Sequence, residues 1–345
     1  MADVTTLAVP VGLFLASAAL VVGSGIVLAR EGDQIAHRTR LGGIGVGAFL
    51  LAGATSLPEI VTDVSASLAD APDLAVGDLF GSSMANMAIL AIIDLLHRGR
   101  VWPSVSIGHA RLAAVAIALT AMAVLGILAG GSIAIGWIGV VPLAIAGAYV
   151  AAALWIRRTS SEGRQADEQK PDSEIIEPIG WASDERGTPL RVIGLRFAAA
   201  AAVVLVSAPL LAVSAKSIAD QTGIGQTFVG TLLLAATTSL PELVASLAAI
   251  RIGAYDLAVG NLFGSNAFNM VALLAADAAY LPGPILAAIE SVQAIAGIGA
   301  ILLMALALMA VVHGARTRLR RLEPDAILVL ITYALLLIII YASEP

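Results

Sequence analysis

Apolar runs long enough to cross a bilayer alternate with short polar connections along almost the whole chain. Hydrocarbon offers no water to an unpaired backbone group, so such runs predict helices, and the fold class expected is an all-α polytopic membrane protein. Ten transmembrane helices are predicted. The first five span about Leu7–Ala29, Leu41–Leu68, Leu74–Leu96, Ile107–Leu128 and Ile133–Ile156. The second five span about Val192–Ala219, Ile224–Ile250, Leu257–Tyr280, Ile285–Val312 and Ala326–Tyr341. Between the two sets lies a segment rich in Glu, Asp, Gln, Ser and Pro, residues 157–191, too polar to build a core and expected to be a mobile tether. The first run has Asp3 before it and no basic segment, so it is expected to remain as a span.

The two sets are copies of one unit. Leu234–Met270 reads LAATTSLPELVASLAAIRIGAYDLAVGNLFGSNAFNM, and 183 residues earlier Leu51–Met87 reads LAGATSLPEIVTDVSASLADAPDLAVGDLFGSSMANM, without a gap. Between Asp73–Met87 and Asp256–Met270, eleven of fifteen positions are identical, which apolar composition alone does not produce. The match loosens upstream, where Ser24 pairs with Ser207 and Gly47 with Gly230, and downstream, where Asp94 pairs with Asp277. Three units follow: residues 1–156 as the first five-helix repeat with its motif at 51–87, the linker 157–191, and residues 192–345 as the second repeat with its motif at 234–270.

Charge placement adds orientation. With the N-terminus outside, the inward connections hold 18 of the 19 Lys+Arg, Lys216 alone falling outside. Both termini are then external, the linker is cytoplasmic, and the membrane is the cell membrane. An odd number of spans per repeat turns the second copy upside down, an inverted-topology arrangement characteristic of secondary transporters. The chain is 59% hydrophobic with a net charge of −6, and the sum of its charges says less than their position. It has no cysteine, which excludes disulfides, thiol catalysis and thiolate metal sites. There is no nucleotide-binding loop, so neither an enzyme activity nor a cofactor is expected and an ion gradient must supply the energy.

The chemistry concentrates in Thr-Ser-Leu-Pro-Glu. Pro58 and Pro241 should break their helices, freeing carbonyls at Ala52, Thr55, Ala235 and Thr238. Glu59 and Glu242 follow near mid-span, where an acidic group costs about 2.5–3.5 kcal/mol and is seldom idle. With the hydroxyls of Ser56, Ser82, Ser239 and Ser265 they make an all-oxygen cage of the kind calcium selects. Gly77 and Gly81, like Gly260 and Gly264, lie four apart and should let helices approach closely. Ser82 and Asn86, and Ser265 and Asn269, also lie four apart and should face the Glu of their own repeat. Asn86 and Asn269 are site-lining residues, as ligands or as interhelical hydrogen-bond glue. Asp63 and Asp78 are accessory acids that line a cavity or an interface, and Asp94 and Asp277 should be solvated at span ends. The Arg316–Arg321 cluster is an inward anchor.

At these motifs the chain resembles the calcium/cation antiporter superfamily, on the sodium/calcium exchanger side, with both signature segments present twice and in order. That resemblance implies a ten-helix antiporter with calcium on Glu59, Glu242, Thr55 and Thr238. It implies sodium on Ala52, Ser56, Ser82, Ala235, Ser239 and Ser265, three sodium ions exchanging for one calcium. The chain departs from the family pattern at Ala54 and Thr237, at Asp78, and at Ser83. Partners expected are membrane lipid and small inorganic cations, with no nucleic acid. A proton-coupled calcium or divalent-cation antiporter and a passive cation channel remain the alternatives.

Overall fold

The computed structural model describes residues 4–38, 55–96, 108–166, 188–251, 255–313 and 324–344. In chain order the helices are α1 (Val4–Arg38), α2 (Leu57–Leu68), α3 (Pro72–Leu96), α4 (Gly108–Leu128) and α5 (Val140–Ala166). The second set is α6 (Leu190–Thr222), α7 (Gln226–Thr238), α8 (Leu240–Arg251), α9 (Tyr255–Ala279), α10 (Ile285–Ala288), α11 (Gln293–His313) and α12 (Pro324–Ser343). Among the described residues seven helices are long and apolar enough to cross a membrane, and α7 with α8 forms one further span bent by 42°. Two more expected spans correspond to the shorter apolar stretch Val140–Ile156 and to α2, whose predicted N-terminal half lies outside the described residues. The chain is a polytopic helical membrane protein built as two inverted repeats.

Burial sorts the helices. α3 is the most enclosed span and α9 follows it, whereas α12 turns most of its surface outward, as a helix against lipid does. Each core helix therefore carries its polar residues into the protein rather than into hydrocarbon. α1 and α6, first helices of the two repeats, pack along one another. Both outrun their predicted ends, α1 to Arg38 and α6 to Thr222, where Gly223 terminates the helix at φ +71°. Glu31 and Gln34 at the end of α1 are buried, and Arg196 of α6 stands 3.7 Å from Glu31, so the neighbouring helix pairs the acid that lies beyond the predicted span.

The fifth span departs from expectation at its start. Residues 134–139 form a two-stranded antiparallel ladder, Ala134 opposite Gly139, closed by a turn with Gly136 at φ +67°. Helix α5 begins only at Val140 and runs on to Ala166, ten residues past the predicted end. Asp277 explains how this hairpin is held. It is completely buried rather than solvated, and its carboxylate accepts the Gly139 and Ile285 amides, each at 2.7 Å. Asp94 is likewise buried. Lys216, the one outlying basic residue, donates to the Ala69 and Asp70 carbonyls at 2.7 and 3.2 Å and so stabilises the negative end of α2.

Candidate cation site

Both proline motifs break their helices in the same way. Ser56, just before α2, has φ −86° and ψ 3°, and Ser239, between α7 and α8, has φ −84° and ψ 2°. Each glutamate then sits in the first turn of the helix that resumes, where unpaired amides and the helix dipole favour an anion. Gly25 of α1 lies over both breaks. A Cβ there would stand 2.5 Å from Pro241 Cγ and 3.4 Å from Pro58 Cγ, so the two kinks meet against one helix.

The carbonyl prediction needs correction. Ala235 keeps its helical bond, its oxygen accepting the Ser239 amide at 3.1 Å, because proline withholds its amide from the carbonyl four residues earlier, which is Thr237. Ala52 lies outside the described residues, as does the Arg316–Arg321 cluster. One turn before the break, α7 contains a π-helical turn, Gly230–Leu234, which no sequence periodicity marks.

Close packing brings α3 onto this broken helix. A Cβ on Gly81 would stand 2.5 Å from both Cα and O of Thr231, and one on Gly77 2.9 Å from the Thr227 oxygen. Gly230 contributes from the other side, its missing Cβ 2.5 Å from the Leu74 oxygen. The glycine spacing thus acts as expected in α3. In α9, among the described residues, Gly260 faces His109 and a Cβ on Gly264 would find its nearest neighbour at 3.9 Å, while nearly all of the segment equivalent to α7 lies outside the described residues.

The polar groups converge as a result. The Glu59 carboxylate lies in electrostatic range of Glu242 and Asp78, and the hydroxyls of Thr55, Ser56 and Ser265 lie against Glu242. Thr238 donates to Asp78 Oδ1 at 3.1 Å, and Ser82 stands 3.3 Å from Thr238 and 3.5 Å from the same Asp78 oxygen. Ser265 therefore faces the Glu of its own repeat, whereas Ser82 reaches across to the other repeat. Glu59, Asp63, Asp78, Thr55, Ser56, Thr238 and Glu242 are completely buried, and Ser239 nearly so. Among the described residues neither oxygen of Glu59 nor the Ser239 hydroxyl has a hydrogen-bond partner, and Glu242 has only the Thr55, Ser56 and Ser265 hydroxyls against it.

The asparagines divide. Asn86 donates to Asn266 at 2.9 Å, and Asn266 donates to the Ser83 carbonyl at 3.2 Å, so Asn86 serves as interhelical glue. Among the described residues neither side-chain atom of the fully buried Asn269 has a partner, nor has the Asn86 amide oxygen. Asn266 was missed in the sequence reading; its only signal was occupying a motif position at which the first repeat has Ser83.

No three Asp, Glu or His converge tightly enough to hold an ion by themselves among the described residues. Any cation here is held by paired carboxylates with hydroxyls and carbonyls, a hard-oxygen set. Buried carboxylates without donors are costly unless a cation compensates them.

Comparison with known proteins points the same way. The family model described as sodium/calcium exchanger protein matches residues 9–155 and 193–342. The chain is 29% identical over 298 residues to the putative antiporter CaxA of Alkalimonas amylolytica, covering 84% of this chain and 86% of that one. It superposes on the sodium-calcium exchanger NCX_Mj soaked with sodium and strontium at TM-score 0.60 and 25% identity, over 98% of this chain and all of that one. The fold also matches an H+/Ca2+ exchanger, CAX, at TM-score 0.69 and 12% identity, over 97% of this chain and 86% of that one.

Proposed function

Because the chain belongs to the sodium/calcium exchanger protein family, a family of membrane cation exchangers, we propose that it is a secondary antiporter exchanging calcium for sodium across the cell membrane. One observation carries this reading. Glu59 and Glu242, one from each inverted repeat, are buried together at matched helix breaks with hydroxyls around them and, among the described residues, no cationic side chain paired with either. A site shared by two halves of opposite orientation can open to one face or the other as the halves tilt, which is how alternating access works.

In this reading calcium engages Glu59, Glu242, Thr55 and Thr238 near the bilayer midplane. Sodium engages Ala52, Ser56, Ser82, Ser239 and Ser265 and shares the glutamates, with Ala235 contributing through the second lone pair of its helix-bonded carbonyl. The functional units are 1–156 and 192–345, joined by the 157–191 linker on the cytoplasmic side, with both termini outside. A passive channel would not need matched breaks meeting at one enclosed carboxylate pair.

Flux into vesicles holding the purified protein tests this directly, with sodium, potassium and pH gradients imposed one at a time. Calcium uptake driven by an outward sodium gradient is the expected result. Uptake driven only by a pH gradient would move the protein to the proton-coupled alternative. Uptake indifferent to every opposing gradient would make it a channel.

A further inference from the structure

Asp63 lies one turn beyond Glu59 on α2, and Asp78 lies within α3; both are completely buried and their carboxylates face one another. Asp78 Oδ1 is occupied by Thr238 and Ser82, but among the described residues Asp78 Oδ2 and both Asp63 oxygens receive no hydrogen bond except one that a proton shared between the two acids would make. No Lys, Arg or His forms an ion pair with either acid among the described residues.

The second repeat holds the same two positions in contact with different chemistry. Ser246 aligns with Asp63 and Asn261 with Asp78, each 183 residues on, and the Asn261 amide donates to the Ser246 hydroxyl at 3.3 Å. An amide can donate to a hydroxyl, whereas two ionised carboxylates bring acceptors only. Either a proton shared between the acids of the first repeat or a cation held by both is needed to satisfy them.

The helix face continues the contrast. Glu59, Asp63 and Ser67 follow one another at four-residue spacing along α2, and the buried Ser67 hydroxyl also has no partner. The matching stripe on α8 reads Glu242, Ser246 and Ile250, closing on an apolar side chain. A polar lane thus runs from the glutamate pair toward the α2–α3 turn in one repeat only.

We infer that Asp63 and Asp78, with the hydroxyl of Ser82, form a second subsite for a hard divalent cation between the glutamate pair and the α2–α3 turn. This rests on the cation-exchange reading. Charge and ligand type together suit a divalent ion: the four ionised acids sum to −4, one calcium at the glutamates leaves −2, and one further hard divalent ion on this all-oxygen set balances it. An ion entering from that face meets the aspartates before the glutamates, so the subsite feeds the central one from one side of the membrane.

Equilibrium binding of radioactive calcium to the purified protein, counted per chain, tests the inference. The wild type should bind two calcium ions. Asp63→Ser combined with Asp78→Asn, which copies the neutral pair the second repeat already folds with, should bind one. Glu59→Gln should remove the central ion instead. Equal, non-zero stoichiometry in the wild type and the double variant overturns the subsite and leaves the exchange reading standing; a shared proton between the aspartates would give that result. A wild type that binds no calcium overturns both.

Discussion

The side-chain amide of Asn266 donates to the carbonyl of Ser83, its own counterpart 183 residues earlier, at 3.2 Å. The two repeats therefore touch at equivalent positions, where α3 and α9 cross. The contact is one-sided, because the Ser83 hydroxyl turns back to the Leu79 carbonyl at 3.0 Å. The Asn266 amide oxygen also receives Asn86 at 2.9 Å, so one residue of the second repeat holds two positions of the first. Asn266→Ala would leave the buried Asn86 amide unsatisfied and should cost about 1–3 kcal/mol of stability. A lowered unfolding midpoint in detergent is expected, and an unchanged midpoint would remove Asn266 as the clamp at this crossing.

The paired glutamates predict function without folding defects. Glu59→Gln and Glu242→Gln keep side-chain volume but remove a charge from a cage that must strip a divalent ion of water. Each variant should insert normally and lose calcium transport. Elution as a monodisperse species together with near-normal uptake would refute the assignment.

The glycines give a sharper comparison because the two copies differ. Gly81→Ala places a methyl 2.5 Å from Thr231 backbone atoms, while Gly264→Ala meets nothing closer than 3.9 Å. Overpacking of this kind costs about 1–3 kcal/mol. Gly81→Ala should depress both thermal stability and calcium flux, and should do so more than Ala substitution at Gly264, which meets nothing closer than 3.9 Å among the described residues. Equal effects in the two variants would mean that close approach of α3 to α7 is not what the spacing serves.

Glu344, just past α12, supplies a pH dependence outside the membrane spans. Its carboxylate accepts the Phe228 amide at 2.7 Å and occupies the place a side chain on Gly225 would take, so it caps the N-terminus of α7. Burial, more than the nearby Glu290 and Asp73 charges, raises its carboxyl above the usual value, and the Phe228 amide offsets this in part. A group whose docked pKa is raised docks better when protonated, so docking weakens as pH rises through that raised value. Hydrogen exchange at Phe228, corrected for its intrinsic rate, should become more protected as pH falls toward the ordinary carboxylate range. Glu344→Gln should flatten that dependence, and a wild-type profile that is already flat would contradict the docking.

Much of this arrangement was legible in the chain because it is written twice. The repeat singled out Glu59 and Glu242, the prolines placed the breaks, and Gly77 with Gly81 announced a close helix approach. What escaped depends on contacts between distant segments. Ser82 turns to Thr238 rather than to its own glutamate because α3 packs on α7, a choice no single helix encodes. Asp277 reads as a solvated end residue until the hairpin at 134–139 folds over it. That hairpin is hidden because its apolar Ile133, Ile135 and Ile138 read as helix, and only Gly136 at positive φ betrays the turn.

Charge movement separates the two candidate driving ions. Per cycle, one calcium carries two positive charges in, and three sodium ions, the number the family resemblance implies, carry three out. One net charge then crosses the membrane each turn, worth about 2.3 kcal/mol per 100 mV. The fixed acids of the protein do not alter this difference, because the carrier returns to its starting state after each cycle. Exchange of one calcium for two protons would move no net charge. Sodium-driven calcium uptake into vesicles should therefore accelerate when the interior is made positive and slow when it is made negative. Clamping the potential with potassium and valinomycin, at fixed sodium and pH gradients, measures this. Uptake that persists without sodium and ignores the imposed voltage would reject sodium coupling in favour of proton exchange.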